Sequence, residues 1–188
     1  MLSSSLLAGS GIDIGQSIAV MPDGSFYVVG YYSSPTLSAG ALVVTNGDTN
    51  GGTNDAFVAR FDTQGDPVWL RSFGGPGVDS ATSVVVDASN HVYVAGEFMD
   101  TATFSASPLV TRSAAGARDG FVARLDANGA LQWVEVAAGP FSTDVAVEVV
   151  ALDDRLPATG VEVSMLLAVA VLASGLVLVA RGRRIARW

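Results

Sequence analysis

With 188 residues and a formal net charge of −8, the chain has room for one domain and a tail. It contains no cysteine and one histidine, His91, which excludes a disulfide framework, a thiolate nucleophile and a multi-histidine metal centre. Up to Thr159 there are six arginines, no lysine and 17 acidic residues, a charge near −11 that makes nucleic acid and anionic lipid poor partners.

The opening Met1-Leu2-Ser3-Ser4-Ser5-Leu6-Leu7-Ala8 has no basic start and too short an apolar stretch to serve as an export signal. A repeat then begins. Gly9, Gly11, Asp13, Ser17, Val20, Tyr27, Val28 and Gly30 recur 66 residues on as Gly75, Gly77, Asp79, Ser83, Val86, Tyr93, Val94 and Gly96. The stretch from Asp55 to Trp69 recurs 64 residues on, from Asp119 to Trp133, with eight of 15 positions identical. Between these blocks lies Ser33–Gly52, rich in Ser, Thr, Gly and Asn and loosely matched by Asp100–Gly116; it reads as a variable, solvent-facing connection.

Each unit predicts four short antiparallel strands. Ser83–Val86 and Val92–Phe98 flank the turn-forming Asp87-Ala-Ser-Asn90. Phe121–Leu125 alternates faces, with Phe121, Ala123 and Leu125 on one and Val122 and Arg124 on the other, and Asp126-Ala-Asn-Gly129 turns the chain. Gly129 suits a positive φ there, and Asp126 can bond its own backbone. Leu131–Val136 returns, carrying Trp133. Two full units result, with a stub before them (Leu6–Gly9 aligns with Ser72–Gly75) and the start of a third at Asp144–Leu152.

The repeated side chains read structurally. Trp69 and Trp133, with the turn glycines Gly65 and Gly129, are packing residues because they hold the same place in each unit. Arg60 and Arg124 read as polar positions on an exposed face, and His91 as a solvated turn residue. The Asp-rich turns lack the alternating ligands and distant bidentate acid of a calcium loop. No catalytic residue, metal ligand or cofactor is predicted.

The tail has a different character. Leu156-Pro157-Ala158-Thr159-Gly160 precedes an uncharged run, Val163–Ala180, followed by Arg181, Arg183, Arg184 and Arg187. As a helix the run spans roughly 27 Å, close to a bilayer's hydrocarbon thickness. Asp153, Asp154 and Glu162 oppose a single Arg155 on the other flank, so the positive-inside bias places the arginines in the cytoplasm and the body outside. The predicted division is a repeat region, 1–154, and a tail, 155–188: motif 156–160, helix 163–180 and basic end 181–188.

The repeated residues resemble the bacterial beta-propeller repeat family, whose units read roughly D-A-F-V-A-K-L-D-x-x-G-x-x-x-W, then G-G, then V-Y-V-x-G. The likeness covers about Leu6 to Asp154 and implies an all-β fold of antiparallel four-stranded blades. Closure takes about four to eight blades, so the propeller would be incomplete. The expectation that follows is a C-terminal piece of a longer protein, with upstream blades and an export signal. A pyrroloquinoline-quinone-type propeller would require clustered cofactor ligands, and a sialidase Asp box tighter spacing than Asp126, Gly129 and Trp133 have.

The tail resembles the cell-wall sorting signal of Gram-positive surface proteins, the LPXTG family. The resemblance implies sortase and peptidoglycan as partners, with transient passage through the plasma membrane before cleavage. The sortase thiolate would attack the carbonyl of Thr159, break the Thr159–Gly160 bond and pass Thr159 to a peptidoglycan amine. The chain would be substrate rather than catalyst, a secreted surface protein of the cell wall with a structural, display or adhesion role. Two rivals are a fragment of a wall-anchored hydrolase or quinone-type oxidoreductase with catalytic residues upstream, and a membrane protein whose motif is coincidental.

Overall fold

The computed structural model describes residues 7–48, 52–115 and 117–137, and the backbone of 144–151, 165–172 and 175–182. Every described element is a strand, and every pairing is antiparallel. Sheet I runs β1 (Asp13–Val20), β2 (Phe26–Tyr32), β5 (Asp55–Phe61) and β6 (Pro67–Phe73), in the order β1-β2-β5-β6. Sheet II repeats it with β7 (Ser80–Val86), β8 (Val92–Phe98), β11 (Asp119–Leu125) and β12 (Leu131–Ala137).

The central strands explain their own sequence. Asp-Ala-Phe-Val-Ala-Arg-Phe of β5 is buried at all but Arg60, so both faces must be apolar rather than alternate ones. Its twin β11 is buried everywhere except Arg124. The tight turns share one device. Asp62, Asp87 and Asp126 each accept two backbone N–H groups from residues two and four places on, at 2.8 to 2.9 Å. The reversing residue is left-handed: Gly65 (φ 84°), Asn90 (φ 61°) and Gly129 (φ 76°).

The two connections expected to face solvent are instead hairpins, β3 (Thr36–Ala39) with β4 (Leu42–Thr45) and β9 (Thr101–Ala106) with β10 (Leu109–Ser113). Leu37 and Ala39 are wholly buried beside Phe57, Phe61 and Leu70. Phe104 lies 4.9 Å from Phe121 and 5.5 Å from Phe73, so the second hairpin belongs to the core. The Ser- and Thr-rich composition hid two or three large apolar side chains whose alternation puts them on one face.

The sheets pack face to face through one apolar cluster. Tyr27, Val29, Val58 and Trp69 of sheet I meet Val84, Val94, Ala123 and Val134 of sheet II. Cross-strand register explains the grouping, since Val84, Val94, Ala123 and Val134 are successive partners and therefore share a face. Burying each such side chain contributes roughly 1.5–3 kcal/mol.

The backbone of β13 (Asp144–Ala151) lies against β7, β8 and β11, as β7 lies against β1, β2 and β5. No helix long and apolar enough to cross a membrane occurs among the described residues. The helix expected over Val163–Ala180 falls where no side chains are described; the backbone of residues 165–172 runs as β14 beside β13, and that of 175–182 as β15 beside β14.

Candidate functional site

The most developed polar constellation of the body bridges the two sheets. Trp69 on β6 is 95% buried, yet its indole Nε1 donates 3.0 Å to the carbonyl of Ala127 in the sheet II turn. Arg60 on β5 donates to the same oxygen from Nη1 at 3.1 Å. Arg71, two residues after Trp69, clamps the next two carbonyls: Nη2 donates to Asn128 and Nε to Gly129, each at 3.1 Å. Three consecutive carbonyls are thus gripped by three side chains of the neighbouring sheet.

Local sequence creates both halves. The Asp126 carboxylate and the left-handed Gly129 curl the turn so that its carbonyls point outward as a row. A Cβ at Gly129 would stand 2.9 Å from the Trp69 ring, so the glycine allows the indole to lie flush on the turn. On sheet I the guanidinium groups are held by aromatic rings: Arg60 lies 5.8 Å from the Tyr27 centroid and Arg71 5.6 Å from that of Trp69. Trp69 and Tyr27 are themselves 5.8 Å apart.

Sheet II carries part of the same set. Arg124 lies 5.9 Å over Tyr93, and Tyr93 lies 6.2 Å from Trp133. Arg124 Nε is buried without a hydrogen-bond partner among the described residues. Glu135 stands in the place of Arg71, so the two-carbonyl clamp is not repeated. On sheet I, Gly65 closes a turn of the same form, at Asp62–Asp66.

Buried acids form a second set. Asp55, Asp79 and Asp119 are at most 2% exposed. Asp55 accepts from Gly47 N at 2.8 Å, and Asp119 from Ala115 N at the same distance, so each ties a hairpin's return to its sheet. Asp79 accepts from Gly75 N and Met99 N at the junction between sheets. Burial pushes the Asp55 carboxyl up to about 6, against the pull of the Gly47 and Ser72 hydrogen bonds. Burial and then the charge of Asp55 push Asp79 up to about 7. Among the described residues no three His, Asp or Glu side chains converge as a metal site.

The structure corrects two sequence expectations. Arg60 is not on an exposed face, because it lies across the seam between the sheets and is half buried. His91 is not simply solvated: Asp87 Oδ2 takes its ring Nδ1 at 2.9 Å and the Tyr93 hydroxyl at 3.0 Å. Burial opposes ionisation of Asp87, yet the bonds from His91 and Tyr93 outweigh it and hold the carboxyl below its usual range. Arg71 and the buried acids were missed, although Asp55 and Asp119 occupy equivalent repeat positions and that recurrence was their signal.

Leu156, Pro157, Ala158, Thr159 and Gly160 lie outside the described residues, as do Arg183, Arg184 and Arg187; Arg181 is placed by backbone alone, in β15. No protein-family model matches the chain. Over 82 residues, 44% of this chain, it is 37% identical to the regulatory protein FlaEY of Caulobacter vibrioides. The matched segment spans 8% of that protein, so the chain is similar to a small part of a much longer relative.

Proposed function

We propose that the chain is an exported surface protein, anchored covalently to peptidoglycan through Thr159, whose β-repeat body serves structural, display or binding purposes. The observation that carries this reading is the order of the tail: Leu156-Pro157-Ala158-Thr159-Gly160, then the uncharged run Val163–Ala180, then four arginines. Each part has a physical task. Pro157 disfavours helical backbone at Leu156 and keeps the motif extended for an enzyme groove. In lipid the apolar run satisfies its own backbone only as a helix, and the arginines hold that helix against full export.

The body is read as propeller-type blades. This is supported by the four-stranded antiparallel meander of each sheet and by the repeated stacking relation, with β7 on sheet I and the β13 backbone on sheet II. A body rich in acidic groups and lacking lysine suits a soluble, outward-facing domain rather than one adhering to anionic lipid.

The test is to express the chain with a fused export signal in a sortase-bearing host, fractionate the cells and weigh the wall-released protein. A chain ending at Thr159 and joined to a peptidoglycan fragment is the expected result. A full-length chain in the membrane fraction, unaffected by Thr159→Ala or Pro157→Ala, overturns the reading.

A further inference from the structure

The gripped turn contains an asparagine followed by a glycine, Asn128–Gly129. Such a pair can modify itself. The backbone nitrogen after an asparagine attacks the side-chain carboxamide, and a following glycine has no side chain to obstruct the approach. Asn128 is exposed, and its carboxamide makes no hydrogen bond among the described residues.

The nitrogen is the guarded partner. Gly129 N–H donates 3.0 Å to the Asp126 carbonyl, which closes the turn, and Gly129 is buried against the Trp69 ring. Arg71 fixes the backbone on both sides, with Nη2 on the Asn128 carbonyl and Nε on that of Gly129. The proton that must leave before attack is therefore already bonded and shielded from water. The peptide plane is also held from rotating towards the carboxamide while the grip lasts.

Neighbouring cases lack one half of this arrangement. The matching turn of sheet I has Gln64 before Gly65, and a glutamine would have to close a larger ring. Asn46 precedes Gly47, but it is 1% exposed and its carboxamide is tied at both ends. Its Nδ2 donates to the Tyr32 and Thr53 carbonyls, and its Oδ1 accepts from Asp48 N. At Asn128 a free carboxamide adjoins a nitrogen whose release depends on the contact between the sheets.

We propose that Asn128 is a deamidation site gated by the seam, protected while Trp69 and Arg71 hold the turn and reactive once the sheets part. On opening, Gly129 N gives its proton to solvent and bonds to Asn128 Cγ, the Cγ–Nδ2 bond breaks, and ammonia leaves. Water then opens the succinimide at either carbonyl. The net change is one water consumed, one ammonia released and one carboxylate gained. Opening at the backbone carbonyl gives isoaspartate, which adds a methylene to the backbone ahead of Gly129 and turns the middle gripped carbonyl into a carboxylate beside the chain. The row held by Arg60, Trp69 and Arg71 then loses its spacing, so a passing opening is recorded as an irreversible one. The site is independent of the wall anchor.

The experiment follows Asn128 by peptide mass mapping of the full chain, kept in detergent at mildly alkaline pH. Mapping separates Asn128 from Asn46 and from the further pair Asn50–Gly51. The folded parent is compared with the parent unfolded in urea and with Arg71→Met, which keeps the stem against Trp69 but removes both donors. Deamidation is expected to be about tenfold or more faster in the unfolded chain than in the folded parent, with Arg71→Met between them. The parent's rate is also expected to rise in urea below the unfolding midpoint, in step with hydrogen exchange at the Gly129 amide. Aged parent enriched in isoaspartate is expected to exchange faster across the seam, whereas Asn128→Gln aged alongside it does not.

Equal rates in the folded and unfolded parent overturn the proposal, because the seam then guards nothing. So does a parent whose rate stays flat in urea while Gly129 exchange rises, or a folded Arg71→Met that deamidates no faster than the parent. An isoaspartyl chain whose seam exchanges as before overturns it as well.

Discussion

The indole Nε1 of Trp69 donates to the carbonyl of Ala127, 3.0 Å away and 58 residues further along the chain. This bond joins two sheets that share no strand, and the ring behind it is part of the apolar cluster between them. Trp69→Ala removes both the ring and the donor, and its expected cost is about 3–5 kcal/mol. Trp69→Phe keeps most of the packing but leaves the carbonyl of Ala127 to Arg60 alone, for an expected loss of about 1–2 kcal/mol. Urea unfolding of the two variants beside the parent separates the contributions.

Glycine at 129 serves two purposes that a control position can divide. Gly129 has φ 76° and a Cβ there would meet Trp69 at 2.9 Å, whereas Gly24 has φ 89° and only Thr63, at 3.9 Å, nearby. Gly24→Ala is expected to cost the left-handed strain alone, about 1–2 kcal/mol. Gly129→Ala carries that strain and displaces the indole as well, so its midpoint falls further. Equal losses from the two substitutions contradict a turn shaped to receive the tryptophan.

The second hairpin is a core element, and Phe104 tests that. Its ring sits among Phe73, Phe98 and Phe121, with centroids 4.9 to 5.7 Å away for the three pairs it makes. Phe104→Ala leaves a cavity in this cluster, with an expected loss of about 3–5 kcal/mol. Leu109→Ala in the same hairpin, at a side chain 71% exposed, is expected to change stability by about 0.5 kcal/mol or less. Similar midpoints for the two variants would mean that the hairpin is a solvent-facing connection after all.

Stability of the body is expected to fall as pH rises. Asp55 and Asp79 have folded values near 6 and near 7, above the unfolded carboxyl value of about 3.9. The folded state therefore holds protons that the unfolded state has released. Their contribution is fully present below about pH 4 and is lost as pH climbs through 6 and 7. Repulsion among the surplus surface acids acts in the same direction, so a variant is needed to separate the two. The parent should melt at a higher temperature at pH 5 than at pH 8, and Asp55→Asn should flatten that difference. An undiminished difference in the variant assigns the pH dependence to surface charge instead.

Much of the fold was readable because its information is local. Asp126 and Gly129 form a turn from their own backbone and side chains, wherever the rest of the chain goes. Phe121, Ala123 and Leu125 announce one face of a strand by their spacing of two, and the recurrence 64 residues apart announces a second copy. The hairpins were less readable. Ser33–Gly52 and Asp100–Gly116 are mostly small and polar, and the few apolar residues that anchor them, Leu37 and Phe104, stand out only against the sheet that buries them.

By itself the sequence determined the turns, the antiparallel strands and the division between an acidic body and an apolar tail with arginines, because each depends on neighbours a few residues apart, and it determined the repeat by direct recurrence 64 to 66 residues on. Tertiary structure alone decided what Arg60, Arg71 and the buried acids do. A guanidinium on a strand reads as a solvated charge until a turn nearly 60 residues away presents its carbonyls, and a carboxyl reads as exposed until a second sheet closes over it. These roles come from long-range packing, where desolvation and the geometry of distant partners set the energy of a polar group.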